Sequence, residues 1–184
     1  MKRTIVYSLI LGLMVVAGAC SGRYVIENEN AGKFSGKEAT KIVFAWIDLK
    51  EDEWEKNRVK DKEEWTRLIE NMNKMFQEAV NNDFKGKEIV FLSKEESQKA
   101  PASGDLFVTY EFKKLDRNFN GFSGGADTMY MDVQIHDLKT KDVVYSSSVK
   151  LSSKGSYMSQ ISFGGRLRNI SQVLSMYLSE RIMK

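Results

Sequence analysis

Cysteine, proline and histidine occur once each in 184 residues. A lone cysteine, Cys20, excludes an intrachain disulfide and any cysteine-rich metal site. A lone histidine, His136, leaves too few ligands for a zinc site, and no Gly-x-Ser-x-Gly elbow accompanies it to build a hydrolytic triad. Beyond the first twenty residues no apolar run is long enough to cross a bilayer. Charge of one sign is not in excess either: 28 Lys+Arg face 25 Asp+Glu, interspersed along the chain, which removes the electrostatic argument for a nucleic-acid partner. The chain therefore offers no chemical centre, and no cofactor is expected.

What is present begins at the amino terminus. Lys2 and Arg3 precede an uncharged apolar run from Thr4 to Val16, and the small residues Ala17, Gly18 and Ala19 lead into Cys20. This is the order of a secretory signal, too short for a spanning helix. The cysteine directly after small residues resembles the lipobox of bacterial lipoproteins, although Ala17 stands where leucine is common. That resemblance implies cleavage after residue 19 and acylation of Cys20, with acyl chains as the only membrane anchor. Several chains hold firmly where one is marginal, since each buried methylene adds about 0.8 kcal/mol. By the sorting rule of lipoproteins in enteric-type bacteria, the resemblance further implies, from Ser21 rather than Asp after the cysteine, delivery to the outer membrane. The expected division is 1–19 signal, 20–40 lipidated cysteine and flexible tether, and 41–184 one domain. The tether reading rests on the polar, Gly- and Asn-containing stretch Ser21–Thr40.

Within the domain, Lys41–Asp48 is apolar on both alternating faces, which predicts a strand inside a sheet. Lys50–Glu64 is almost wholly charged and reads as solvated, with Trp54 either folding back as a staple or standing out as a contact residue. Asp61–Asn82 carries Trp65, Leu68, Ile69, Met72, Met75, Phe76, Ala79 and Val80 at helical spacing, with Asp61 and Glu64 as a capping-box-like start. Glu88–Leu92 is a short strand, and Ser93–Gly104 a loop holding Pro101. Asp105–Leu115, Thr128–Asp137 and Asp142–Leu151 alternate with period two, as antiparallel strands with one solvated face do. Arg166–Met183 is a closing helix. The predicted fold class is α+β: a single antiparallel-rich, mixed sheet of about five strands with two helices packed on one face.

The both-faces-apolar first strand, the long amphipathic helix and the meander around Val133–Tyr145 resemble small envelope lipoproteins related in fold to the N-terminal domain of TolB and to the curli secretion channel protein. Asp137 and Thr140 fit the turn of that group, whereas Lys141 replaces its usual glycine. The resemblance implies a scaffold or partner-binding module and carries over no catalytic residue.

Three further features bear on chemistry. Asp116–Gly121 lacks the closing glutamate of a calcium loop. Gly164-Gly165 could offer backbone N–H groups to a phosphate, but reads more readily as the start of a helix. Plentiful acids leave open a convergent carboxylate pair. The aromatics Phe119 and Phe122 on the glycine-rich tip 118–126, Phe163 before Gly164, and Trp54 are the candidate partner-binding residues, with tucking under the sheet as the alternative for the loop phenylalanines. The expected function is a non-catalytic, membrane-anchored envelope module that binds an envelope protein or its own copies. The alternative is an envelope enzyme acting on glycan through a carboxylate pair.

Overall fold

The computed structural model describes residues 24–32, 34–50, 53–119, 125–155 and 161–183. Six strands and three helices follow one another: β1 (Tyr24–Asn30), β2 (Lys41–Phe44), α1 (Glu53–Lys56), α2 (Lys62–Asp83), β3 (Glu88–Phe91), β4 (Leu106–Asp116), β5 (Thr128–Asp137), β6 (Val143–Ser152) and α3 (Phe163–Ile182). The strands form one mixed sheet in the order β1-β6-β5-β4-β2-β3. β2 runs parallel to β3 and to β4, and the other pairs are antiparallel.

The long helix starts where its sequence dictates. Asp61 is extended, and its Oδ1 accepts from the Glu64 N–H at 2.8 Å, satisfying one of the donors that a helix start leaves open. Trp65, Ile69, Met72, Phe76 and Val80 are its buried stripe. The Phe76 ring meets Phe44, Phe91 and Tyr110 edge-on, with centroids 5.8, 6.3 and 5.8 Å away. Leu68 is only half-buried, on the flank of that stripe.

The closing helix begins at Phe163 rather than Arg166, because Ser162 Oγ accepts from the Gly165 N–H at 3.0 Å and caps it. The Gly164-Gly165 pair is therefore the first turn of a helix. Ser171 and Ser175 are fully buried and let α3 approach α2 closely. Ser171 Oγ donates to the Met72 carbonyl at 3.1 Å, and Ser175 Oγ donates to Asp83 at 2.6 Å.

The doubly apolar reading of β2 has a plain cause. Ile42 and Phe44 enter the large apolar cluster that joins the sheet to α2 and α3. Val43 and Ala45, of opposite parity, join Phe107 in a small second cluster on the other face, flanked by Val90, Leu92 and Leu138. The rest of that second face is largely polar, with Val25 exposed on it beside Lys150.

The α+β class with one mixed sheet is as expected; among the described residues the sheet has six strands against about five expected, and the single turn α1 adds a helix to the two expected. The reading of 20–40 as a tether needs correction. The added strand is β1, which occupies part of the stretch read as a tether: Tyr24–Asn30 pairs antiparallel with β6 from Tyr24↔Leu151 to Asn30↔Ser146. β1 escapes a hydrophobicity reading because it is an edge strand, and only Tyr24 and Ile26 of it pack against the core. Polar contacts hold the remainder. Tyr24 donates to Glu180 at 2.6 Å, Tyr145 donates to Glu29 at 2.8 Å, and the Tyr145 and Tyr177 hydroxyls share a bond of 2.7 Å. Burial, reinforced by the Glu180 carboxylate, pushes the Tyr24 phenol up to about 12.

Candidate functional site

β1 starts, β6 ends, β5 starts and β4 ends at one end of the sheet, as the pairs Tyr24↔Leu151, Thr128↔Ser152 and Asp116↔Thr128 show. The first turn of α3 lies at the same end, since Arg166 reaches Asp127 just before β5. So does the start of α2, since Trp65 stacks on Phe163 with centroids 6.2 Å apart and planes 10° from parallel.

The centre of this end is a buried ion pair. Arg166 is 3% exposed and Asp127 0%, and Arg166 Nε donates to Asp127 Oδ2 at 2.6 Å. Asp127 Oδ1 accepts from the backbone N–H groups of Asn118 and Phe119 at 3.1 Å each, so the same carboxylate that neutralises Arg166 also holds the chain leaving β4. Ser153 Oγ accepts from the Asp127 N–H at 2.8 Å, and Asn169 Nδ2 donates to the Ser153 carbonyl at 2.9 Å.

Aromatic rings and guanidinium groups alternate around this pair. Arg166 lies 4.7 Å from the Phe119 ring centre and 5.5 Å from that of Phe163. Arg117 lies 4.2 Å from the Phe163 ring centre and donates through Nη1 to the Asn57 carbonyl, docking the turn after α1. Arg58, in the left-handed region at φ 53°, shares a depression of about 450 Å³ with Lys56, Asn57, Asp116, Arg117 and Phe119. Desolvation lowers the Arg117 pKa; Asp127 opposes that shift, and the positive charges of Arg166 and Arg58 add to it.

Three of the four aromatics singled out in the sequence thus lie at this end. Phe119 and Phe163 come together on Arg166, and Trp54 sits in α1 beside the docked turn. All three are half-buried, with Trp54 and Phe163 packed against the main core. Phe122 and Cys20 lie outside the described residues, as do residues 1–19, where a signal was expected. The arginines were not anticipated. Positions 58, 117 and 166 come from three separate segments, and only the Arg117–Phe119 proximity was visible along the chain.

The second feature is the face of the sheet that no described helix covers. Asn28, Asn30, Gln134, Ser146 and Ser148 line a shallow groove of about 310 Å³. Beside it, Tyr130 carries Lys114 and Lys150 over its ring at 4.2 and 5.3 Å. Lys113 bridges Glu111 and Asp132 at 2.7 and 3.0 Å, and Lys150 meets Glu27 at 2.5 Å. His136 is half-buried on this face, 3.2 Å from Thr109 Oγ1, and burial lowers its pKa. Among the described residues no group of three or more His, Cys, Asp or Glu is placed to hold a metal ion.

No family model matches the chain, and no curated protein matches it. Among solved structures it is similar to the PelC dodecamer of Paraburkholderia phytofirmans, with 10% identity, a TM-score of 0.45, and coverage of 83% of this chain and 95% of that one. A point variant of the same PelC dodecamer gives 11% identity and a TM-score of 0.43 over the same shares of the two chains.

Proposed function

We propose that this chain is a non-catalytic lipoprotein of the bacterial cell envelope, acylated at Cys20, held at the outer membrane, and acting as a protein-binding or assembly module. The observation that carries the reading is the sheet face that no described helix covers. From β1 to β4 it presents amides, hydroxyls and paired charges over shallow grooves, a topography suited to a macromolecular surface. Enclosing a small substrate would call for a deeper, largely apolar pocket. The carboxylates on this face support the reading too. Asp132 is bonded to Lys113 and Ser148, and Glu111 to Lys113, so they are engaged as fixed surface charges.

The test is in-cell crosslinking from a photoreactive residue at Gln134 or Ser146, with Glu70 on the outer side of α2 as the comparison. A discrete adduct from the sheet face, absent from Glu70, identifies an envelope partner or a second copy. Equal, diffuse adducts from all three positions refute the assignment of this face. A hydrolase activity abolished by one Asp or Glu substitution refutes the non-catalytic reading.

A further inference from the structure

The acylated cysteine and the first strand are close in sequence, and this has a geometric consequence. Cys20 precedes Tyr24 by four residues, and four residues of fully extended chain reach at most about 14 Å. Tyr24 is paired with Leu151, at the end of the sheet that carries the arginine and aromatic cluster. An anchor at Cys20 therefore brings that end, and not the opposite end with the Asp137–Asp142 turn, to the membrane.

The side chains there suit such a surface. Arg58, Arg117 and Lys154 are exposed, and none forms an ion pair among the described residues. Phe119 is half-buried beside them, and Ile161, one of the few large apolar side chains standing out from the domain, is 52% exposed at the start of α3. The positive charges of Arg166 and Arg58 bear on the Arg117 guanidinium, and the buried Asp127 carboxylate opposes them. An anion arriving from outside would relieve that repulsion.

We infer that the end of the domain formed by Arg58, Arg117, Phe119, Lys154 and Ile161 lies against the membrane and binds the phosphates of anionic lipid headgroups. The inference rests on acylation at Cys20. It gives the module a fixed orientation, with the sheet standing on its β1-start end and the polar face turned sideways, open to a partner in the same membrane plane. Juxtamembrane cations each add to affinity for an anionic leaflet within a Debye length of the surface. The apolar side chains would sit at headgroup depth.

The test uses the acylated full-length protein after signal removal, reconstituted into vesicles of phosphatidylglycerol with phosphatidylethanolamine, or of phosphatidylcholine alone. Acylation occupies Cys20, so Asn118→Cys or Thr140→Cys introduces a unique thiol for a fluorophore, with headgroup-nitroxide lipid as quencher. Flotation reads the anchor separately. The expected result is flotation of both labelled proteins, with strong quenching at position 118 and little at 140 on phosphatidylglycerol vesicles. Arg58→Gln or Lys154→Gln, each removing one positive charge, should each lower the preference of position 118 for anionic over neutral vesicles about fivefold. Failure to float refutes the anchor, and the inference with it. Flotation with equal quenching at 118 and 140 refutes the orientation alone. Quenching at 118 that ignores lipid charge and both substitutions refutes headgroup binding.

Discussion

Removing one partner of the Arg166–Asp127 pair should destabilise the protein more than any surface change. Both residues are at most 3% exposed, and Arg166 Nε and Asp127 Oδ2 are 2.6 Å apart. Asp127→Ala leaves a buried guanidinium without its carboxylate and frees the Asn118 and Phe119 amides. Arg166→Met leaves a buried carboxylate still held by those two amides. Breaking a buried pair from one side typically costs about 3–5 kcal/mol. For a domain of this size that corresponds to a fall in midpoint of about 6–20 °C. The double variant replaces both charges, so it should cost clearly less than the sum of the two single variants. Urea unfolding of the four proteins forms the cycle, and unchanged m-values would show that the comparison is sound. Single substitutions costing under about 1 kcal/mol, as exposed pairs do, would refute the claim that this pair is a buried keystone. So would strict additivity in the double variant.

Three further outcomes follow from the same structure. Phe76→Ala, which removes a ring buried among Phe44, Phe91 and Tyr110, should cost about 3–5 kcal/mol in chemical unfolding, while Glu70→Ala on the exposed side of α2 should cost under about 0.5 kcal/mol. The Asp105 carboxyl is held well below the usual carboxylate range, first by the Lys41 N–H and then by Lys139 and Thr40. Its contribution to stability is thus complete above about pH 4 and is lost as pH falls further, so Asp105→Asn should flatten the acid limb of the stability curve without changing its shape above pH 6. Metabolic labelling with a fatty-acid analogue should mark the parent protein and not Cys20→Ala; equal labelling of both would remove the anchor.

Much of the architecture was legible because it is written in local periodicity. The stripe Trp65–Val80 forces a helix with one buried side, and Asp61 marks its start within a residue. Met129, Met131, Val133 and Ile135 alternate with Thr128, Tyr130, Asp132 and Gln134, so β5 could be placed to the residue. Doubly apolar β2 announced an interior strand, and β4 and β3 do flank it. The aromatics of the candidate site were visible as unusual residues on loops.

The tertiary structure alone decided the rest, and for one reason: those features are built from residues far apart in the chain. Tyr24–Asn30 is too polar to be recognised as a strand, since an edge strand needs only two apolar contacts once β6 and the Tyr145–Glu29 and Tyr24–Glu180 bonds hold it. Arg166 and Asp127 look like ordinary surface charges until β5 and α3 place them 2.6 Å apart in the interior. The sequence alone determined β2 to β6, α2 and α3, and the inward side of those with a clear period. Which end of the sheet collects three arginines, and that this same end receives the chain from Cys20, depends on strand order and pairing direction, and no local pattern encodes either.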